Sequence, residues 1–556
     1  MMTLIKRYPY ISFTICSILC LYPFMRVYLP VGDEGTLIYD AVRVAQGQIP
    51  YRDFFEVMGP GTFYWVALSF KIFGITWQAT RIALYVTSVA TALMMFFLTR
   101  RLRTGFDIFP AIFLMATSFG HIWPAISHHG VSNLLALLSF AAFVIWLDKC
   151  WPALLVAAGA LAALTTCVLQ PKGILLFLAF LVLLTLLCRK EAGFASYVFC
   201  LAAGYVAIAV FILLFFWTAG GLHDYVYANF IWPLTRYGNV NSVPYGLGIG
   251  EFYWKPWVQS FSAALSPALG YLVAGIFIIP FLIVAAFPIL LPTIALCNKS
   301  RAFSRALLPY WIAGWALWLS EVHRKDITRL VYGSPLLIIL LIYLLSRLKR
   351  SSARIALTPI TLSVIALAAF NGCLTLAAHV KINTVRGELR MFKKDPLLEF
   401  LTTHVTPGEE MFVYSYSPIY YFLSGTINPT KYSLLMYRMT DDIQFRDAVR
   451  SLKRSSVRYV VWDNVADSKE TTTIFPDYRP PPKNNRPLET YITQHFTVIY
   501  QQHGARVLER QVGVPARQPP CIASIFKPLP KDVGAVKSPW FPQEPVTSSK
   551  YECRLR

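Results

Sequence analysis

Residues 32–65 read GDEGTLIYDAVRVAQGQIPYRDFFEVMGPGTFYW and follow directly on an apolar run from Tyr10 to about Leu29. Crossing a bilayer takes roughly 17 to 25 mostly apolar residues, and the run is long enough. It is too long for a secretory h-region and has no small-residue cleavage site, so it is expected to stay as a first span. The stretch after it opens on an acidic pair, Asp33-Glu34. Leu37, Ala41, Val44 and Ala45 recur at helical spacing, which predicts a short amphipathic helix beginning near Asp33. Ile49-Pro50-Tyr51 ends it, and Gly59-Pro60-Gly61 turns the chain into TFYWVALSFKIFGIT (62–76). That segment is short for a span and contains Lys71, so it reads as a helix lying in the membrane interface.

Outward from this loop the same kind of apolar run recurs to residue 380 and then stops. Candidate spans are 10–29, 79–99, 108–126, 131–147, 152–169, 173–188, 194–217, 262–296, 306–320, 330–346 and 355–379, about eleven in all. Residues 262–296 are long for one span and hold four prolines, which fits a kink better than a hairpin of two spans. Only 14% of the 556 residues are charged, against about a quarter in soluble domains. The net charge of +22 does not mark a nucleic-acid binder. Most basic residues before 380 sit in small clusters at span ends, where they set topology and meet anionic lipid. With Lys6 and Arg7 inside, the inside loops carry Arg100-Arg101-Arg103, Lys149, Arg189-Lys190, Lys299-Arg301-Arg305 and Arg347-Lys349-Arg350-Arg354. The loops 30–78, 218–260 and 321–329, the turns near 128 and 170, and everything from 381 onward then fall outside.

The expected fold class is therefore a membrane all-α protein. It has about 11 transmembrane helices over 1–380 and interfacial helices in the first outside loop. A small α/β extracytoplasmic domain follows over 381–511, and residues 512–556 form a Pro-rich tail of little order. In the small domain MFVYSY (411–416) and VRYVVWD (457–463) read as buried strands, and 497–511 as a hairpin turning at His503-Gly504. Eight of the ten cysteines lie in or beside spans; Cys521 and Cys553 lie in the tail, paired or free.

Asp33 has two readings. It can cap the helix, with both acids favoured by the helix dipole. It can also be a general base whose proton affinity its position at the membrane boundary would raise. The order of first span, acidic pair, helix, G-x-x-P-Y-x-D (47–53), G-P-G and aromatic helix resembles the polytopic glycosyltransferases of the C superfamily. The nearest groups are the protein mannosyltransferases and the bacterial aminoarabinose transferases. The resemblance implies inverting transfer of a sugar from a polyprenyl-phosphate carrier to a lipid, glycan or protein acceptor. The site would lie on the non-cytoplasmic side of the bacterial inner membrane. It implies Asp33 as base, supported by Glu34, with Asp53 and Glu56 as further acids of the loop. Met58-Gly59 precede Pro60 where aminoarabinose transferases carry a Lys, so cations for the leaving phosphate are sought elsewhere. Lys172, in the turn Gln170-Pro171-Lys172-Gly173, and Arg324 and Arg329, in the charged turn 321–329, are the candidates. His128-His129 stands at another outer turn. His128, like Asp53, is a further candidate for substrate or phosphate binding; no metal-ligand spacing exists, and a divalent metal would need partners such as Asp33 or Glu251 brought close to the histidines by the fold. A transporter or flippase of a lipid-linked glycan would place ionisable groups mid-span and show repeats. A glycan ligase or polymerase would leave the Asp33-Glu34 loop unexplained.

Overall fold

The structure, a computed structural model, describes residues 7–28, 32–118, 125–237, 242–297, 303–348, 350–502 and 504–511. These fall within one unit, Met1–Ala516; the tail with Cys521 and Cys553 lies outside the described residues.

Each candidate span contains helix among the described residues. Among the described residues six helices are long and apolar enough to cross a membrane: Trp77–Arg101, His128–Lys149, Gln170–Cys188, Phe194–Thr218, Pro267–Ala285 and Leu357–Ala377. A seventh is added if Ile327–Gly333 and Pro335–Ser346, bent by 72° between them, count as one span. Pro335 explains the bend, because it lacks the N–H and its ring clashes with the turn before it. The remaining candidate spans are shorter apolar helices: Pro9–Leu21, Phe109–Ser118, Pro152–Val168, Phe287–Cys297 and Leu308–Ser320. The stretch expected as one kinked span divides further. Lys255–Ala264 ends within its first residues, Ser266 caps Pro267–Ala285, and Phe287–Cys297 follows after Ala286.

Phe194–Thr218 buries only Leu201, Gly204 and Phe216 and exposes Phe199, Phe211 and Trp217. A helix apolar all round and left uncovered is dressed for lipid. Its main neighbour is Pro152–Val168. A Cβ on Gly159 would stand 2.0 Å from the Leu201 carbonyl oxygen, and one on Gly204 equally close to that of Val156. The two glycines let the backbones touch, as small residues do between membrane helices. Gly59 works the same way: its Cβ would meet the Cys167 carbonyl at 2.4 Å, so the Gly-Pro-Gly turn seats against the end of Pro152–Val168. The Gly61–Phe73 helix buries Phe63, Val66 and Phe70 while leaving Leu68, Ile72 and Phe73 exposed, the one-sided pattern of an interfacial helix.

The Gly32–Ala45 helix differs from expectation. Its spacing predicts an amphipathic helix in the interface, yet Glu34 through Val44 are all buried. Leu37, Ile38, Ala41 and Val42 pack on Phe63, Phe70 and Trp77 of the membrane part. Tyr39 packs from the other side into the C-terminal domain, stacked on Tyr421 at 4.6 Å. The helix is a layer between two bodies, so periodicity reports only one of its faces.

The C-terminal part opens with a hairpin absent from the sequence reading, β1 (Val380–Thr384) and β2 (Gly387–Met391). It clips to the membrane part: Tyr28 N–H donates to the Arg390 carbonyl and Trp77 N–H to the Arg386 carbonyl, both at 2.8 Å. A four-stranded sheet follows, β3 (Met411–Tyr414), β4 (Tyr459–Asp463), β5 (Phe496–Gln502) and β6 (Ala505–Arg510), in the order β3-β4-β6-β5. β3 and β4 run parallel and every residue in both is buried, as sheets covered on both faces require. β5 and β6 are the expected hairpin, with Gln502 opposite Ala505.

Candidate active site

Three segments distant in sequence meet at the first turn of Gly32–Ala45. The first is that turn, with its acids Asp33 and Glu34. The second is the charged turn after Leu308–Ser320. There Asp326 caps the Ile327–Gly333 helix, its Oδ1 accepting from Arg329 N–H at 3.0 Å. The third is the loop leaving β3. Tyr416 donates its phenol to Asp33 Oδ1 at 2.5 Å, and Arg329 Nη2 stands 3.9 Å from Asp33 Oδ2. The Asp33 side chain keeps 32% exposure and that of Arg329 15%.

The other predicted residues take different places. Glu34 is sealed in the protein, in an ion pair with Arg81, and its Oε1 also accepts from Ile126 N–H at 2.8 Å. Arg81 lies over the Trp77 ring at 4.0 Å. Glu34 thus locks the helix start to the Trp77–Arg101 helix. Arg324 is buried as well: Nε donates to Asp326 Oδ2 at 2.5 Å, Nη2 donates to the Ile474 carbonyl at 2.8 Å, and the guanidinium caps Phe475 at 4.3 Å. Burial would raise the Asp326 carboxyl, but Arg329 and Arg324 override it and hold it below its usual range. Lys172 has no exposed surface. Its ammonium donates to Glu321 and Asn133, both at 2.6 Å, with the Tyr332 carbonyl at 3.4 Å. Glu321 also takes His129 Nδ1 at 3.1 Å, and His129 stacks on Tyr332 at 5.3 Å. His128 rests against His129, ring centres 4.1 Å apart. Asp53 accepts from Ile49 N–H at 2.7 Å and pairs with Arg52, closing the turn after the helix. Of the three expected phosphate cations, Arg329 alone stands beside Asp33, and its Nη1 also donates to Asp326 Oδ2 at 3.1 Å.

Sequence reasoning missed Tyr416 and Arg81. A cation in the first turn of a span, after an acidic loop, was a usable signal for Arg81. It also missed what Asp40 does. Asp40 is fully buried; Ser433 donates to its Oδ1 at 2.6 Å, while Oδ2 has no hydrogen-bond partner among the described residues. Burial pushes it up to about 7 against the pull of Arg43. Glu56 is raised to about 8 by burial and by the charges of Asp40 and Asp33, although Val57 and Met58 N–H groups donate to it. Both acids hold protons in the folded state that the unfolded chain, titrating at about 4, releases. Their contribution to stability is complete at low pH and is lost as pH rises through about 7 and 8. The thermal midpoint of the detergent-solubilised protein is expected to fall between about pH 5 and pH 8, and Asp40→Asn to flatten that slope.

Many aromatics of the 218–260 loop, which could have formed a membrane belt, are core. Tyr225 stacks on Phe216 at 4.3 Å, Tyr253 on Phe281 at 4.3 Å, and Trp232 meets Phe55 at 5.2 Å. Among the described residues no three His, Cys, Asp or Glu side chains gather as metal ligands. A narrow apolar cleft lies between Leu84, Leu114, Met115 and Ile126 and runs inward to Asn133 and Tyr332.

Neither a protein-family model nor a curated protein matches the sequence. Solved structures do match its shape. ArnT from Cupriavidus metallidurans, solved bound to undecaprenyl phosphate, aligns over 92% of this chain and 100% of its own, with a TM-score of 0.54 and 15% identity. The chain shares the fold of that protein over most of its length. The Archaeoglobus fulgidus oligosaccharyltransferase, tethered with an acceptor peptide, aligns over 92% of this chain and 75% of its own, with a TM-score of 0.50 and 11% identity. At such identities the likeness concerns the arrangement of helices and the attached domain, and no side chain is carried over from either protein.

Proposed function

We propose that the chain is an integral membrane glycosyltransferase that moves a sugar from a polyprenyl-phosphate carrier to an acceptor hydroxyl on the non-cytoplasmic face of a bacterial plasma membrane. The observation that carries this reading is the meeting of Asp33 with Arg329, a base candidate and a guanidinium drawn from loops far apart in sequence. A fold shared with ArnT, a protein solved with undecaprenyl phosphate, supports the donor class.

In the proposed reaction the acceptor oxygen attacks the anomeric carbon and its proton passes to Asp33. The bond from that carbon to the phosphate oxygen breaks, and the lipid phosphate leaves with the electron pair. In-line displacement puts attacking and leaving oxygens on opposite sides of the carbon. Arg329 must therefore swing off Asp33 when the donor enters, and its contact with Asp33 is a resting one. The swing gives up a 3.9 Å ion pair worth about 1 kcal/mol or less, while Nη1 keeps its 3.1 Å bond to Asp326 Oδ2. On the phosphate, the planar guanidinium can give two parallel N–H bonds. The apolar cleft beside Tyr332 offers a wall for the first isoprene unit.

The test is sugar transfer from a panel of polyprenyl-phosphate sugars by the purified protein in nanodiscs. Arg329→Ala is expected to lower kcat/KM for the donor by about 10- to 100-fold, since hydrogen bonds to charged groups are worth about 1.5–3 kcal/mol. Absence of product from every lipid-phosphate donor would refute the reading and favour transport.

A further inference from the structure

We infer that Tyr416 and Asp463, both from the C-terminal domain, belong to the acid–base apparatus. Tyr416 is a positioning residue that fixes the Asp33 carboxylate through Oδ1, leaving Oδ2 to take the acceptor proton, and Asp463 fixes Tyr416. This rests on Asp33 being the base.

The tyrosine is anchored on several sides. Its N–H donates to Asp463 Oδ2 at 2.9 Å, and the Ser415 hydroxyl donates to Asp463 Oδ1 at 2.9 Å. Leu435 N–H donates to the Ser415 carbonyl at 3.2 Å. Asp463 ends β4 and is 6% exposed, so the loop leaving β3 is tied to the neighbouring parallel strand. The ring itself lies on Gly32. A Cβ there would come within 2.1 Å of ring atom Cε1 and 2.3 Å of Cδ1, so no larger residue fits beneath it. One turn on, a Cβ on Gly35 would stand 2.9 Å from Ile419 Cβ, which brings the helix and the loop together at a second point.

Such a mount suits orientation. A carboxylate with one oxygen held by a fixed donor cannot rotate about its χ2, and its second oxygen keeps a constant direction. A ring that merely packed on Gly32 would not do this.

Tyr416→Phe keeps the ring and deletes the hydroxyl. In the full-length protein in nanodiscs it is expected to lower kcat by about 10- to 100-fold, the scale of a misaligned catalytic group, with KM for the donor unchanged. Gly32→Ala, which displaces the ring, should behave alike. A second measurement needs no turnover: the rate of carbodiimide labelling of Asp33 at one fixed pH, read by mass spectrometry, should rise in Tyr416→Phe, where the carboxylate is released, and rise less in Asp463→Asn. An unchanged kcat, or an unaltered labelling rate, overturns the inference while leaving the transferase reading intact. If the parent protein transfers from no donor, the transferase reading falls, and the labelling rate still decides whether the phenol holds Asp33.

Discussion

Asp33→Asn is expected to cut sugar transfer by about 10²- to 10⁴-fold, the range that a positioned general base contributes, with the protein still folded. The geometry lets the two effects separate. The substituted amide keeps an oxygen that can accept from Tyr416, which now donates to the carboxylate at 2.5 Å. What the variant loses is a proton acceptor and a 3.9 Å contact with Arg329, at a side chain about one third exposed. A contact of that kind is worth about 1 kcal/mol or less, so the thermal midpoint should barely move. Glu34→Gln should do the opposite. It leaves Arg81, 1% exposed, without its countercharge, and breaking a buried pair from one side costs about 3–5 kcal/mol. The first acid of the pair is thus assigned to chemistry and the second to the fold. Full turnover by a folded Asp33→Asn protein would end the base assignment; an unaltered midpoint in Glu34→Gln would end the strut assignment.

The acids and the helix behind them were legible because their signals are local: an acidic pair after an apolar run, helical spacing, and proline and glycine at the stops. Every candidate span likewise carries helix, although six, or seven with the bent pair, reach spanning length among the described residues. What escaped was tertiary. Nothing in MFVYSY says that the strand stops at Tyr414 and hands Ser415 and Tyr416 to Asp463, since that depends on which strand lies alongside. Lys172 read as a cation at a turn because sequence does not show that Glu321, from a distant turn, packs against it. Asp40 lies on the helix that the spacing predicts as amphipathic, and only the C-terminal domain packed over it makes it a buried acid.

Lys172→Met and Glu321→Leu are each expected to destabilise the protein by about 3–5 kcal/mol, the cost of uncovering one member of a buried ion pair, and the pair changed together should recover most of that loss. Both side chains have no exposed surface, and the ammonium lies 2.6 Å from the carboxylate. Without Glu321, the ammonium is left with Asn133 and a carbonyl, and His129 loses its acceptor. Without Lys172, Glu321 must lean on His129. Replacing both by Met and Leu removes the two buried charges at once, which in other buried pairs is near neutral. The double variant also decides the role of Lys172 in the reaction. Its charge is already met by Glu321, so it adds no net cation for a leaving phosphate, and the folded double variant should turn over within about tenfold of the parent, less than the loss of a direct phosphate donor. The measurements are thermal midpoints and transfer rates of the two single variants and the double in nanodiscs. A double variant that folds like the parent but loses transfer by about 10²-fold or more would return Lys172 to the phosphate. It would also mean that Glu321 yields the ammonium to the donor, as Asp33 yields Arg329.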